Sequence, residues 1–152
     1  MTDQGCTSPN PDHRPNVMVV DDDAEMRALL RDVLERDGFH VREQSSGDEL
    51  VPMLECWAPD AIVLDKEMTG ADGLDLLSYI RRRHPGTSVI LVTAFGGSEV
   101  EAEALRLGAA YYMDKPFRVA RLLEVLRAAV SQAARGVGAP VGRVWVVDGE
   151  RG

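Results

Sequence analysis

At 152 residues the chain holds one ordinary domain and leaves no room for a second of full size. Hydrophobic residues make up 45% and charged residues 28%, a globular balance, and no window approaches the continuous apolar length of a membrane span, so a soluble protein is expected. The net charge of −8 disfavours a nucleic-acid surface, which relies on clustered Lys and Arg; two scattered cysteines, Cys6 and Cys56, are too few for a disulfide framework or a zinc site and read as free thiols.

The opening stretch MTDQGCTSPNPDHRPN has no basic start followed by an apolar run, so residues 1–15 read as a disordered tail rather than a secretory signal, and a cytoplasmic location is expected. Val17 to Val20 is a short apolar run suited to a strand buried on both faces. AEMRALLRDVLERDG follows with Met26, Leu29, Leu30, Val33 and Leu34 at helical spacing, and Gly38 closes that helix. The alternation then repeats, with FHVREQ as strand, GDELVPMLECW as helix despite Pro52, and AIVLD as strand. GLDLLSYIRRRH reads as helix, SVILVTA as strand, SEVEAEALRLG as helix, AAYYM as strand and RVARLLEVLRAAVSQAA as helix. Arg81 to Arg83 sit near a helix end, where cations favour the dipole. The remainder, residues 135–152, begins Gly-rich and reads as a linker and short tail. Strands alternating with helices at this spacing predict an α/β fold, a doubly wound parallel sheet with helices on both faces and right-handed crossovers. In such sheets the active crevice lies beyond the carboxyl ends of the strands.

Four of those ends are chemically pointed: Asp21 and Asp22 after the first strand, Asp65 after the third, Thr93 after the fourth and Lys115 just past the fifth. Neighbouring carboxylates repel one another and lose hydration where partly buried, so the cluster needs a counter-charge. Carboxylates with no His or Cys beside them make a hard-oxygen site, suited to a cation that keeps several waters, Mg²⁺. Lys115 can neutralise phosphoryl oxygens and Thr93 can donate a hydroxyl hydrogen bond. Asp65, alone at its strand end, is the natural nucleophile for an aspartyl phosphate. Asp23 reads instead as the N-cap of the helix beginning near Ala24, and Asp72 and Asp75 as acids flanking a helix start.

In order and spacing, the acidic pair after VMVV, the strand-ending Asp of AIVLDKEMTGADG, the VTA strand end and DKPF resemble the receiver domain of two-component response regulators. The resemblance covers about residues 16–134. It implies a flavodoxin-like five-stranded sheet of order 2-1-3-4-5 and transfer of a phosphoryl group to Asp65 from a sensor histidine kinase or phosphotransfer protein. It also implies that Asp22, Asp65 and the backbone carbonyl of Glu67 coordinate Mg²⁺ directly, with Asp21 acting mainly through water. Thr93 and Lys115 would contact the phosphate, Tyr112 would be the aromatic switch residue, and the peptide before Pro116 would be cis. Such a chain is a phosphoacceptor with autodephosphorylation activity rather than an enzyme acting on outside substrates. Its partners would be the kinase and an unidentified downstream protein, with no direct nucleic-acid or membrane binding. Thr69 and Gly70 depart from the Pro-containing pattern of many relatives, and Glu67 and Phe95 occupy positions that tune phosphate lifetime in the family. Two alternatives stand beside this reading. DKEMT, Asp65 to Thr69, loosely resembles the nucleophile loop of haloacid-dehalogenase-like phosphatases, which leaves Asp21 and Asp22 unexplained; the other alternative is the receiver fragment of a longer transcriptional regulator.

Overall fold

The computed structural model of the chain describes residues 14–68 and 72–134. The expected linker, nearly all of the expected N-terminal tail, and Thr69 and Gly70 lie outside the described residues. Among the described residues ten elements alternate as expected: β1 Asn16–Val20, α1 Ala24–Arg36, β2 His40–Gln44, α2 Gly47–Leu54, β3 Ala61–Asp65, α3 Gly73–Arg83, β4 Ser88–Thr93, α4 Ser98–Arg106, β5 Tyr111–Asp114 and α5 Val119–Ala134. The strands pair in parallel in the order β2-β1-β3-β4-β5.

Period-two alternation splits the side chains of β1, β3, β4 and β5 between two cores. Val17 and Val19 join Leu30 and Leu34 of α1 and Leu122 and Leu126 of α5 on one face. Met18 and Val20 join Leu50 of α2, Leu77 and Ile80 of α3 and Ala104 of α4 on the other. Every residue of β3 and β4 is buried, which is why those segments read as unbroken apolar runs.

The helix ends carry the differences from expectation. Asp23 caps α1 as expected, its carboxylate accepting from the amides of Glu25 at 3.0 Å and Met26 at 3.3 Å. Of the apolar residues in α1, Leu30 and Leu34 are buried, whereas Leu29 stays 49% exposed, just off the stripe that faces the sheet. Asp72 occupies the N-cap position of α3 without a side-chain capping bond, and its carboxylate lies 3.8 Å from Lys66 Nζ instead.

The second helix stops at Leu54, short of Trp57. Beyond Pro52 the amides of Glu55 and Cys56 bond three residues back, to Pro52 O and Met53 O, tightening the last turn. Pro59 then disfavours helix at Ala58, and the turn buries Trp57. Arg81 does more than face a helix dipole. Its Nη1 donates to the carbonyls of Pro85 at 3.0 Å and Thr87 at 2.9 Å, closing the turn into β4. Cys56 is in a disulfide, which corrects the free-thiol reading at that residue. Among the described residues no helix is long and apolar enough to cross a membrane.

Candidate phosphoacceptor site

The site forms where the sheet order reverses. Pairing of β1 with β3 sets Val20 opposite Leu64, so the next residue of each strand, Asp21 and Asp65, meets at the carboxyl edge. Both are buried, at 4% exposure, while Asp22 faces solvent. One carboxylate oxygen from each of Asp21, Asp22 and Asp65 lies within 4.8 Å of the others. The fourth expected member arrives from the far end of the chain: Lys115 Nζ stands 3.1 Å from Asp21 Oδ2 and 3.5 Å from Asp65 Oδ1. Its backbone amide donates to Thr93 O at 2.8 Å, tying the β5–α5 loop to the end of β4, and the Lys115–Pro116 peptide is cis as expected.

Local backbone geometry aims these groups. Asp21 Oδ1 accepts from the amide of Asp23 at 2.9 Å, and its carbonyl accepts from Arg27 Nη1 at 2.8 Å, so the turn into α1 holds the acid in place. Asp65 Oδ1 accepts from the Glu67 amide at 3.3 Å.

Burial, and then the charge of Asp21, push the Asp65 carboxyl up from 3.8 to about 6 against the opposing pull of Lys115 and the Glu67 amide. At Lys115 burial works to lower the ammonium pKa, but Asp21 and Asp65 outweigh it and hold the group above its ordinary value. One ammonium among these carboxylates leaves a net negative, all-oxygen pocket. That donor set fits a hard divalent cation such as Mg²⁺, with Asp21, Asp22 and Asp65 as the acids at hand.

Thr93, fully buried at the end of β4, points elsewhere than its neighbours suggest. Its hydroxyl donates to Glu67 Oε2, and the Ala94 amide donates to Glu67 Oε1 at 3.0 Å. The resemblance assigned Glu67 a role through its carbonyl; the engagement of its carboxylate was not foreseen. The available signal was an acid two residues past the β3 end, facing a hydroxyl at the end of the adjacent strand.

Tyr112 packs against the core beneath α4 and Tyr111 against the core beneath α5, as strand alternation requires. The Tyr112 hydroxyl donates to Asp114 Oδ1 at 2.9 Å and accepts from the Gly97 amide at 3.1 Å. Gly96 makes room for it: a β-carbon there would overlap Tyr112 Oη and come within 2.9 Å of Thr93 Cγ2. Gly96→Ala should therefore eject the Tyr112 hydroxyl from this niche. Burial pushes the phenol up to about 12, and the variant should titrate nearer the ordinary 10 in an NMR titration of ring-labelled tyrosine. An unchanged Tyr112 titration would mean that the loop moves instead of the ring.

The model of the response regulator receiver domain matches residues 17–127. The chain belongs to that family. The receiver is 32% identical to the chemotaxis protein CheY of Thermotoga maritima, over 72% of this chain and 92% of that protein. It is 38% identical to the response regulator protein FleR of Pseudomonas aeruginosa, over 72% of this chain but 23% of that one, so it spans about a quarter of the length of this longer relative. Among solved structures, the beryllofluoride-activated NtrC4 receiver domain dimer superposes with a TM-score of 0.74 at 29% identity, covering 78% of this chain and 98% of that one. The receiver is a phosphoacceptor signalling domain with the CheY-like fold, and the family match decides against the haloacid-dehalogenase-like alternative.

Proposed function

We propose that Asp65 accepts a phosphoryl group from the phosphohistidine of a sensor histidine kinase or a phosphotransfer protein. The observation that carries this reading is the meeting of buried Asp65 and Asp21 with Lys115 Nζ at one strand edge. An Asp65 Oδ atom forms the bond to phosphorus as the phosphorus–imidazole bond breaks, and the electron pair of that bond stays on the ring nitrogen, with the imidazole taking any proton it needs from solvent. Lys115 counters the charge on the transferred oxygens and Thr93 supplies a hydroxyl hydrogen bond. Asp21, Asp22, Asp65 and the Glu67 carbonyl would hold Mg²⁺, which supplies charge neutralisation when bound. Water later hydrolyses the acyl phosphate at a rate set partly by Glu67 and Phe95, which is the autodephosphorylation expected of the domain. The test is incubation with Mg²⁺ and acetyl phosphate or phosphoramidate. One acid-stable, base-labile phosphate per chain is expected, lost on chelation, and labelling that ignores chelation would sink the metal-assisted reading.

The output is a surface change. Phosphate on Asp65 draws the Thr93 hydroxyl toward its oxygens, Tyr112 turns inward, and the face of α4, β5 and α5 shifts toward a form that a downstream protein binds. With a beryllofluoride phosphate mimic, amide exchange should change over residues 93–107 and 110–118, and Thr93→Ala should blunt it. Changes confined to the loops touching the mimic would make the protein a phosphate sink. The domain is assigned residues 16–134, flanked by the segments 1–15 and 135–152, and a cytoplasmic location goes with the kinase partner. Direct nucleic-acid binding is not assigned to this chain, whose net charge is −8. The partial coverage of FleR supports a second reading, that these residues serve as the receiver of a longer transcriptional regulator.

A further inference from the structure

We propose that the Glu67 side chain is an internal competitor of the phosphoryl group, holding the Thr93 hydroxyl and the Ala94 amide until phosphate on Asp65 displaces it. The inference rests on the phosphoacceptor reading and deepens it. The two oxygens of this carboxylate divide the donors between them, Oε2 taking the Thr93 hydroxyl and Oε1 the Ala94 amide at 3.0 Å. The Thr93 oxygen also accepts from the Phe95 amide at 3.0 Å. A phosphoryl oxygen needs a donor, and a hydroxyl carries a single proton to donate. The proton now committed to Glu67 is therefore the one that a phosphoryl oxygen would require. Both cannot hold it at once.

Charge works the same way. Glu67 carries a carboxylate at neutral pH, and both of its oxygens are held in place by the Thr93 hydroxyl and the Ala94 amide. A fixed anion thus stands where a second, more highly charged anion must arrive, and like charges this close repel. Only the side chain is engaged in this contact, so replacing it leaves the Glu67 carbonyl in place for the cation.

Three variants separate the competitor from a bystander, with Mg²⁺ and beryllofluoride as the probe and affinity read by fluorine NMR. Glu67→Ala should tighten beryllofluoride binding about tenfold, the scale of losing a charge-assisted competitor. Glu67→Gln, which retains one acceptor oxygen and no charge, should gain only a few-fold. In a Thr93→Ala background the gain from Glu67→Ala should shrink several-fold, because the contested hydroxyl is gone. The tightening should survive added salt, since a competed hydrogen bond is not screened as a distant charge is. Without metal or fluoride, the Ala94 amide should lose exchange protection in Glu67→Ala. Unchanged or weaker binding by Glu67→Ala, or an equal gain with and without the Thr93 hydroxyl, overturns the proposal while leaving Asp65 as acceptor. If no variant binds beryllofluoride and acetyl phosphate labels none of them, the phosphoacceptor reading itself fails, and this inference with it.

Discussion

Asp65→Asn should abolish phosphate incorporation and, in metal-free buffer at neutral pH, make the domain more stable. The first effect removes the nucleophile. The second follows from the electrostatics of an acid that folding buries beside Asp21. Its carboxyl titrates at the ordinary 3.8 in the unfolded chain and at about 6 in the folded domain. Between those values the folded state keeps a proton that the unfolded chain has released, so stability falls as pH rises through this window and the penalty is complete above it. At about 1.4 kcal/mol per pH unit, discounted for relaxation and water, the penalty is roughly 2 kcal/mol. Asparagine carries no such penalty, and Lys115 retains Asp21 at 3.1 Å. Denaturant midpoints should place the variant above the parent at pH 7, with the difference closing as pH falls below 3.8, the unfolded value. Added Mg²⁺ should narrow the difference from the other side by stabilising the parent. A variant less stable than the parent at neutral pH would mean that the Lys115 pair outweighs the burial of Asp65.

The sheet was legible because its central strands are buried on both faces. AIVLD and SVILVT are continuous apolar runs at strand length, and each proves buried throughout. The strand-end rule then turned chain order into proximity, joining Lys115 to Asp21 across 94 residues. Features decided by the course of a loop were not legible in this way. Helical spacing in GDELVPMLECW does not record that the helix ends at Leu54 and that the turn before Pro59 buries Trp57. A run of three arginines does not reveal that Arg81 satisfies two carbonyls of the turn that follows it. The Glu67 carboxylate belongs to the same class, since its partners come from the end of β4 and depend on the side-chain rotamer.

Gly73 gives no functional signal in the sequence, yet its replacement should be among the most damaging in the domain. It opens α3 directly beneath the loop that leaves Asp65, with its amide donating to Lys66 O at 3.0 Å. A β-carbon there would sit 2.5 Å from Lys66 Cα and 3.0 Å from Asp65 O. These are backbone atoms and cannot rotate aside, so Gly73→Ala must shift either the helix or the loop. Such overpacking costs about 1–3 kcal/mol, and valine, with more bulk at the same point, should cost at least as much. Alanine recovers about 0.5–1 kcal/mol by restricting the unfolded chain, so the net loss should be smaller for alanine than the clash alone implies. For valine a thermal midpoint lower by on the order of 10 °C is expected. The displaced backbone runs from Asp65 to the Glu67 carbonyl proposed as a metal ligand, so the folded alanine variant should need more Mg²⁺ for the same extent of Asp65 labelling. Ser131→Ala, on the exposed surface of α5, serves as the control and should change neither quantity. A valine variant with unaltered melting and unaltered Mg²⁺ dependence would show that the loop after Asp65 yields freely, and the acceptor would then not owe its position to the close approach of α3.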